Sequence, residues 1–451
     1  MNPELLRKKM MIQAETAYQK KQYKKAEKLL HTLLEQDPDH IKALAMLAKI
    51  HTVYNRNQEA IACLNHLTSL EPNEFSNFSN LGMLYQKLDE YEKSQKCLAR
   101  ALEIKPTSAT TLLNLGYASA NQGNFEEAIA IYKKVLTLTP DWGRAHYNLA
   151  LVYLALGRYE EGWREFECRL SAPEWSFLNR NFTIPKWDGV NLKNKTILVY
   201  TEQGFGDMIH FARYLSLLKR PDNTILLEAQ PPVIELFRSL PWIDKIIPFN
   251  QPLPVFDYHA SLLSLPYLTK CNEKLAQVVP YIFSIPEKKA QWQKRLHSIT
   301  KFKIGLCWSG NAVYSNNQQR SCSLAELLPY LPLRKAQFIN LTMECTDEEK
   351  QLLKENNILN YFDDIHDFSD TAALIDNLDL VISVDTSIGH LSGAMNKPVW
   401  LMVHYLPEWR YMQENQHNHW YPNMKIFKQK SLRAWSTVFA SIQQELKQCL
   451  K

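Results

Sequence analysis

The sequence predicts an α + α/β protein: a superhelix of helical repeats over residues 1–170, a connector at 171–195, and two doubly wound α/β domains facing a cleft, at 196–295 and 296–451. Three observations predict it. Pro38, Pro72, Pro106 and Pro140 lie 34 residues apart, each closing a run of helical pattern. From Thr196 onward short β-branched runs alternate with helical segments, the pattern of a parallel sheet covered by helices. A fresh strand, KIGLCW, then opens a second half.

A 34-residue period with two helices per unit, proline closing the second, is the tetratricopeptide repeat. The rest of the signature falls into register. The third unit reads Phe78, Leu81, Gly82, Tyr85, Leu98, Ala101 and Pro106; the fourth reads Leu112, Leu115, Gly116, Ala128, Tyr132 and Pro140. Small residues recur where paired helices cross (Ala26, Ala60, Ala128), and large apolar ones recur between them (Leu30, Leu64, Leu98). No single unit can bury its own apolar face, so the units stack, and such stacks bind partners along a concave groove. The fifth unit opens with His146, Leu149 and Tyr153 but ends in WREFECRL without its proline, as terminal units do. Asn80, Asn114 and Asn148 occupy position six of successive helices. They are either three solvated residues or a ladder of amides able to bond an extended peptide backbone. The inward-facing position favours the ladder.

Pro173, Pro185 and Gly189 break the periodicity and mark the connector. The first α/β half then offers strand TILVYT, helix DMIHFARYLSLL, strand TILLEA, helix PPVIELFRSL and strand KIIPF. A polar helix near EKKAQWQKRLHSI leads to the second half. There strand KIGLCW, helix SLAELLPYL, strand AQFINLT, helix DTAALIDNL, strand LDLVISV, helix IGHLSGAM, strand PVWLMV and a last amphipathic helix from Ser431 follow in order.

Bulk properties narrow the function. A net charge of +5 over 451 residues does not point to nucleic acid as the main partner, though phosphorylated ligands are easily accommodated. Cys63, Cys97, Cys168, Cys271, Cys307, Cys322, Cys345 and Cys449 are scattered with no CxxC pair, the usage of buried thiols in a reducing compartment. The N-terminal segment is polar and amphipathic, unlike a signal peptide, and no apolar stretch approaches the ~18 residues that span a bilayer. The expected location is cytoplasmic, with no membrane span.

Three loops carry the candidate chemistry. Strand ILVYT runs into Glu202, Gln203, Gly204, Phe205, Gly206 and Asp207 at the start of a helix. Asp207 is there either a helix cap or a ligand-facing carboxylate, since ligands of open α/β sheets bind at the carboxyl ends of strands. Strand KIGLCW leads into Ser309, Gly310 and Asn311, with Arg320 and Ser321 before the next helix. Strand LDLVISV leads into Asp385, Thr386, Ser387, Ile388, Gly389 and His390. Hydroxyls and successive N–H groups at a helix start form an anion site; Arg320 and His390 add donors, favouring a diphosphate over simple capping.

The blocks EQGFGDMIHFARYL, WSGN…RS, DLVISVDTSIGHLSGAMNKPVW and EWRYM…HWYPNMKIFKQK together resemble the bacterial tetratricopeptide-repeat glycosyltransferases. Their catalytic region is similar to the ADP-heptose heptosyltransferases of glycosyltransferase family 9. The resemblance covers essentially the whole chain and is most specific in the DTSIGHLSGAMNKPVW block. It implies the two-domain glycosyltransferase B fold, no metal or other cofactor, and inverting transfer from a nucleotide-diphosphate sugar, ADP-heptose being the family donor. It implies Asp207 as the base on the acceptor hydroxyl. Asp385, Thr386, Ser387, Gly389 and His390 would hold the donor together with Ser309, Asn311, Arg320 and Ser321. Gly389 stands where many relatives carry alanine, a change expected not to disturb the site, and Tyr411 stands where they often carry Trp. Metal-dependent relatives show Asp-x-Asp after a strand, whereas the triplet Asp37-Pro38-Asp39 falls in a turn between repeats.

The function so read is a metal-independent inverting glycosyltransferase acting on a protein or peptide acceptor presented by the repeats. Two alternatives stand beside it: a non-catalytic repeat adaptor with a relic sugar-nucleotide domain, and a transferase acting on a lipopolysaccharide or other glycan.

Overall fold

Leu30 and Leu98, two of the large residues recurring along the repeats, are fully buried, as are Ala26, Ala60 and Ala128 at the helix crossings. The helices they build are α1 (Pro3–Gln19), α2 (Tyr23–Gln36), α3 (Ile41–Val53), α4 (Asn57–Leu70), α5 (Phe75–Lys87), α6 (Tyr91–Ile104), α7 (Ala109–Ala120), α8 (Phe125–Leu138) and α9 (Gly143–Ala155). Pro38, Pro72, Pro106 and Pro140 each fall just past the end of α2, α4, α6 or α8, where a residue without an N–H cannot extend the helix. His40, Ser108 and Glu74 accept backbone N–H groups at the starts of α3, α7 and α5. The computed structural model describes residues 3–178, 180–270, 278–311, 317–412 and 418–451; Asn179 of the connector, Cys271 and residues 312–316 lie outside them. Two compact units divide the chain at Val152 and Tyr153. The first is an array of tetratricopeptide-type helix pairs.

The second unit holds α10 (Tyr159–Phe166) and two parallel sheets. Sheet one has four strands in the order β3-β2-β1-β4: β1 is Thr196–Tyr200, β2 Thr224–Ala229, β3 Lys245–Pro248 and β4 Tyr258–Ser261. Sheet two has five in the order β6-β5-β7-β8-β9: β5 is Phe302–Cys307, β6 Ala336–Asn340, β7 Leu380–Val384, β8 Val399–Val403 and β9 Met424–Lys428. Neighbouring strands pair in parallel in both sheets, and β7 and β8 are buried along their whole length, which is why they read as unbroken apolar runs. The helices around the sheets are α11 (Phe205–Phe211), α12 (Pro231–Phe237), α13 (Pro286–Leu296), α14 (Asp347–Glu355), α15 (Phe368–Asp376), α16 (Ser387–Ala394) and α17 (Trp435–Cys449). Val438, Phe439 and Ile442 of α17 join Ile304, Phe338 and Ile382 of sheet two in one core. Repeats followed by two parallel sheets of four and five strands form the architecture expected from the sequence, consistent with the glycosyltransferase B type.

The structure corrects several elements. The helix expected over DMIHFARYLSLL is α11 followed by a 3-10 stretch, Ala212–Leu217. SLAELLPYL forms one α turn and then a 3-10 turn, because Pro329 cannot donate to the preceding turn. β4, β9 and α14 are additional to the elements read from the sequence.

Candidate active site

Strand order fixes where the loops meet. The order 3-2-1-4 places a topological switch between β1 and β4, and 6-5-7-8-9 places one between β5 and β7. The segment after β1 runs from Glu202 into the first turn of α11 at Asp207, the loop after β5 carries Ser309–Asn311, and the segment after β7 runs from Asp385 into α16 at His390. All three therefore leave the carboxyl ends of strands at switch points, where open α/β sheets hold ligands.

Within this unit α11 and α16 approach closely. A Cβ built at Gly206 would lie 2.8 Å from His390 Cδ2 and 3.6 Å from Ser387 Cα. The His390 ring cannot yield, since Tyr421 Oη sits 3.0 Å from its Nδ1 and Tyr411 Oη 3.2 Å from its Nε2. Gly206→Ala is therefore expected to destabilise the fold by about 1–3 kcal/mol and to lower activity. Thermal unfolding with an unchanged Tm would show that the contact gives way.

Asp207 is not a cap. The capping position of α11 is Gly204, and Asp207 lies in the first turn, where a carboxylate is favoured by the helix dipole. Its Oδ1 accepts from Arg410 Nη2 at 2.7 Å, and Arg410 Nη1 donates to Glu408. The guanidinium stacks over Trp409 at 4.5 Å and near Phe211 at 5.4 Å, and its buried Nε has no hydrogen-bond partner among the described residues. Burial pushes the Glu408 carboxyl up to about 7 against the pull of Arg410. Burial also raises the Asp385 carboxyl, with Arg320 and Arg410 opposing it.

Both ring nitrogens of His390 face tyrosine hydroxyls, and burial together with Arg410, Arg213 and Arg320 depresses its basicity so that it stays neutral. A neutral imidazole donates from one nitrogen and accepts at the other. His390 thereby positions Tyr411, which also bonds Asp385. Behind it lies a polar network: Tyr421 Oη is 3.1 Å from His210 Nδ1, and Arg213 donates to the Trp420 carbonyl and to Tyr281 Oη, each at 3.1 Å. His210 and Arg213 stand three residues apart in the DMIHFARYL block, while Tyr411, Trp420 and Tyr421 come from the second half. The network thus spans both sheets.

The other candidates are placed as follows. Gly310 N–H donates to Ser321 Oγ at 3.3 Å, and Ser321 donates to Asn317 Oδ1 at 2.9 Å. Arg320 lies against Gly310, its Nε 3.4 Å from Asn317 Oδ1; Ser309 Oγ donates to the Gly310 carbonyl, and Asn311 is exposed. Thr386 caps α16 through its backbone conformation, without a side-chain bond, and Ser387 is the first helical residue. Gly389 lets α16 pack on Leu401, which a Cβ would meet at 2.8 Å, so alanine there needs a rearranged neighbour. Gln203 takes a left-handed φ of 64°. Glu202 is buried and engaged elsewhere: Ser261 Oγ donates to it, Arg169 Nη2 donates to it at 2.5 Å, and Arg169 also bonds Glu167 at 3.1 Å.

In the repeats, Asn80, Asn114 and Asn148 are each the sixth residue of α5, α7 and α9. Their surroundings differ. Asn80 is exposed, Asn114 has a buried Nδ2 with no partner among the described residues, and Asn148 bonds the Tyr132 hydroxyl. Asp37 and Asp39 lie between α2 and α3, where Asp39 Oδ1 is 2.8 Å from His66 Nε2.

Sequence reasoning missed Arg410, Glu408, Tyr421, His210 and Arg213 as site residues. The signal available was their presence in the two quoted blocks as polar side chains among aromatic and apolar ones.

Comparison with known proteins agrees with the repeat assignment. Residues 2–145 match the model of the cytochrome c-type biogenesis protein H TPR domain, and residues 143–162 match a tetratricopeptide repeat. Protein FlbA of Caulobacter vibrioides is 26% identical over 316 residues, 64% of this chain. The chain spans about half of that relative, 52% of its length. Among solved structures, a crystal structure of MamA is 22% identical over 36% of this chain and 96% of its own, with a TM-score of 0.35. YrrB, described as a TPR protein with an unusual peptide-binding site, is 19% identical over 38% of this chain and 87% of its own, with a TM-score of 0.34. Among the described residues no helix is long and apolar enough to cross a membrane.

Proposed function

We propose that the chain is an inverting glycosyltransferase that moves a sugar from a nucleotide-diphosphate donor to a protein or peptide held by the repeats. The observation that carries this reading is the pairing of Asp207, in the first turn of α11, with Arg410, and the packing of its neighbour Gly206 on the start of α16, both from the other half. The donor diphosphate lies against the first N–H groups of α16, with Arg320 and Arg410 as cations, and needs no metal in this scheme. The acceptor hydroxyl oxygen attacks the anomeric carbon, the bond to the diphosphate oxygen breaks, and Asp207 takes the hydroxyl proton. Asp207 is bound to Arg410 in the structure, so the two groups work in sequence. An incoming diphosphate competes for Arg410, and as it draws the guanidinium away it frees the carboxylate that acts as base.

Incubating the purified chain with ADP-, GDP-, UDP- and dTDP-sugars tests the reading. One of them is expected to be hydrolysed and to raise the melting temperature, since a ligand of the native state stabilises it. Inertness and absence of a shift with all four would turn the reading toward a non-catalytic adaptor. Arg320→Ala is expected to weaken binding of that nucleotide diphosphate about 10–100-fold, the worth of a charged hydrogen bond of roughly 1.5–3 kcal/mol. Unchanged affinity by calorimetry would move the phosphate away from Arg320.

A further inference from the structure

A second site lies in the repeats, away from this chemistry. Glu27 and His31 stand four residues apart on α2 and share one face of it. His51 reaches the same place from α3. One ligand atom from each of the three lies within 4.8 Å of the others. Glu27 Oε1 is 3.9 Å from His31 Nε2 and 3.9 Å from His51 Nδ1. His51 is only 4% exposed, and its buried Nδ1 has no hydrogen-bond partner among the described residues. A buried nitrogen left this way is costly unless something satisfies it.

The chemistry of the set is specific. Two imidazoles and a carboxylate suit borderline divalent cations such as zinc, cobalt or nickel, not magnesium or calcium, which take oxygen ligands. Burial and Arg56 keep His51 neutral, as a metal ligand must be. Arg56 Nη1 donates to Glu27 Oε1 at 2.7 Å and keeps that carboxylate ionised. A cation would feel Arg56 as an opposing charge, which Glu59, acting on both Arg56 and His51, partly offsets. Zinc bonds of about 2.0–2.2 Å in a tetrahedron bring ligand atoms to about 3.4 Å apart. The contraction needed is modest, and the exposed His31 ring is free to make most of it. We infer that Glu27, His31 and His51 form a three-ligand site for a transition-metal cation, zinc foremost, with water completing the tetrahedron. Because α2 closes the first repeat and α3 opens the second, the ion clips neighbouring repeats, the interface on which stability of such an array depends.

The test uses the full chain without a histidine tag, titrated with Co²⁺ and followed by its visible ligand-field absorption, then with Zn²⁺ as competitor. One cobalt per chain with the intense spectrum of a tetrahedral ion, displaced by zinc, is expected, and Zn²⁺ should raise the Tm. His31→Ala, at an exposed position that leaves the fold intact, and Glu27→Gln should each weaken binding by about 10–100-fold or more. Arg56→Gln should tighten it by removing the opposing charge. The inference is overturned if the parent gives no tetrahedral cobalt spectrum, or if His31→Ala and Glu27→Gln bind cobalt as the parent does.

Discussion

On the proposed mechanism, Asp207→Asn is expected to lower sugar transfer by about 10²–10⁴-fold, the contribution of a positioned general base. The substitution removes the proton acceptor and little else. Asparagine has the same shape and keeps an Oδ1 that can accept from Arg410, so the contact now 2.7 Å long survives. Arg410 retains Glu408 as a second partner and is not left as an isolated buried charge. The Tm should therefore change little. Binding of the nucleotide diphosphate should be no weaker than in the parent, because the neutral amide competes less for the guanidinium. Initial rates at saturating donor, with calorimetry on the nucleotide diphosphate, separate the two effects. The other carboxylate of the loop cannot take over, since Glu202 is buried and bound to Arg169 and Ser261. Transfer near the parent rate would reduce Asp207 to an anchor for Arg410.

Why Asp207 was legible from sequence and Arg410 less so is a matter of distance along the chain. Strands β1, β2, β7 and β8 announce themselves as short, unbroken apolar runs because both faces of a parallel sheet are covered. Asp207 and Asp385 follow such runs directly, so strand and loop are read together. β4 escapes because Tyr258–Ser261 is four residues long and contains His259. β9 escapes because it is a sheet-edge strand only partly buried. Helix α14 is polar apart from Leu352 and Leu353, too short an apolar run to show a helical period, yet it carried a readable signal. Thr346 and Glu349 form a capping box, the T-x-x-E pattern that marks a helix start. The pairing of Asp207 with Arg410 joins residues 203 positions apart, and no local pattern encodes it. The neighbours of His390 are hidden for the same reason. Its place one turn into a helix suggests a phosphate ligand, and only the packing of Tyr411 and Tyr421 around it assigns its nitrogens.

Arg410→Gln should lower both nucleotide-diphosphate affinity and transfer, the first by about 10–100-fold and the second by a further ~10²–10³-fold. Arg410 offers a planar fork whose two Nη atoms reach Asp207 and Glu408, the geometry that also suits a phosphate. The loss in rate exceeds the loss in affinity because charge on the departing diphosphate is greatest in the transition state. The fold also suffers. Removing Arg410 leaves Glu408 without its partner, but that side chain is 35% exposed, so the cost falls below the roughly 3–5 kcal/mol of a fully buried pair. Part of that is recovered here, because Glu408, already raised to about 7, can take up a proton. Glu408→Gln and the double variant Glu408→Gln/Arg410→Gln provide the control. If Arg410 serves only the fold, the double variant should regain stability and bind nucleotide diphosphate as tightly as Glu408→Gln. If it holds the leaving group, affinity should stay low in both Arg410 variants while their melting temperatures differ. Nucleotide-diphosphate affinity in Arg410→Gln equal to the parent's would place the diphosphate beyond reach of this side chain, leaving Arg320 and the start of α16 to bind it.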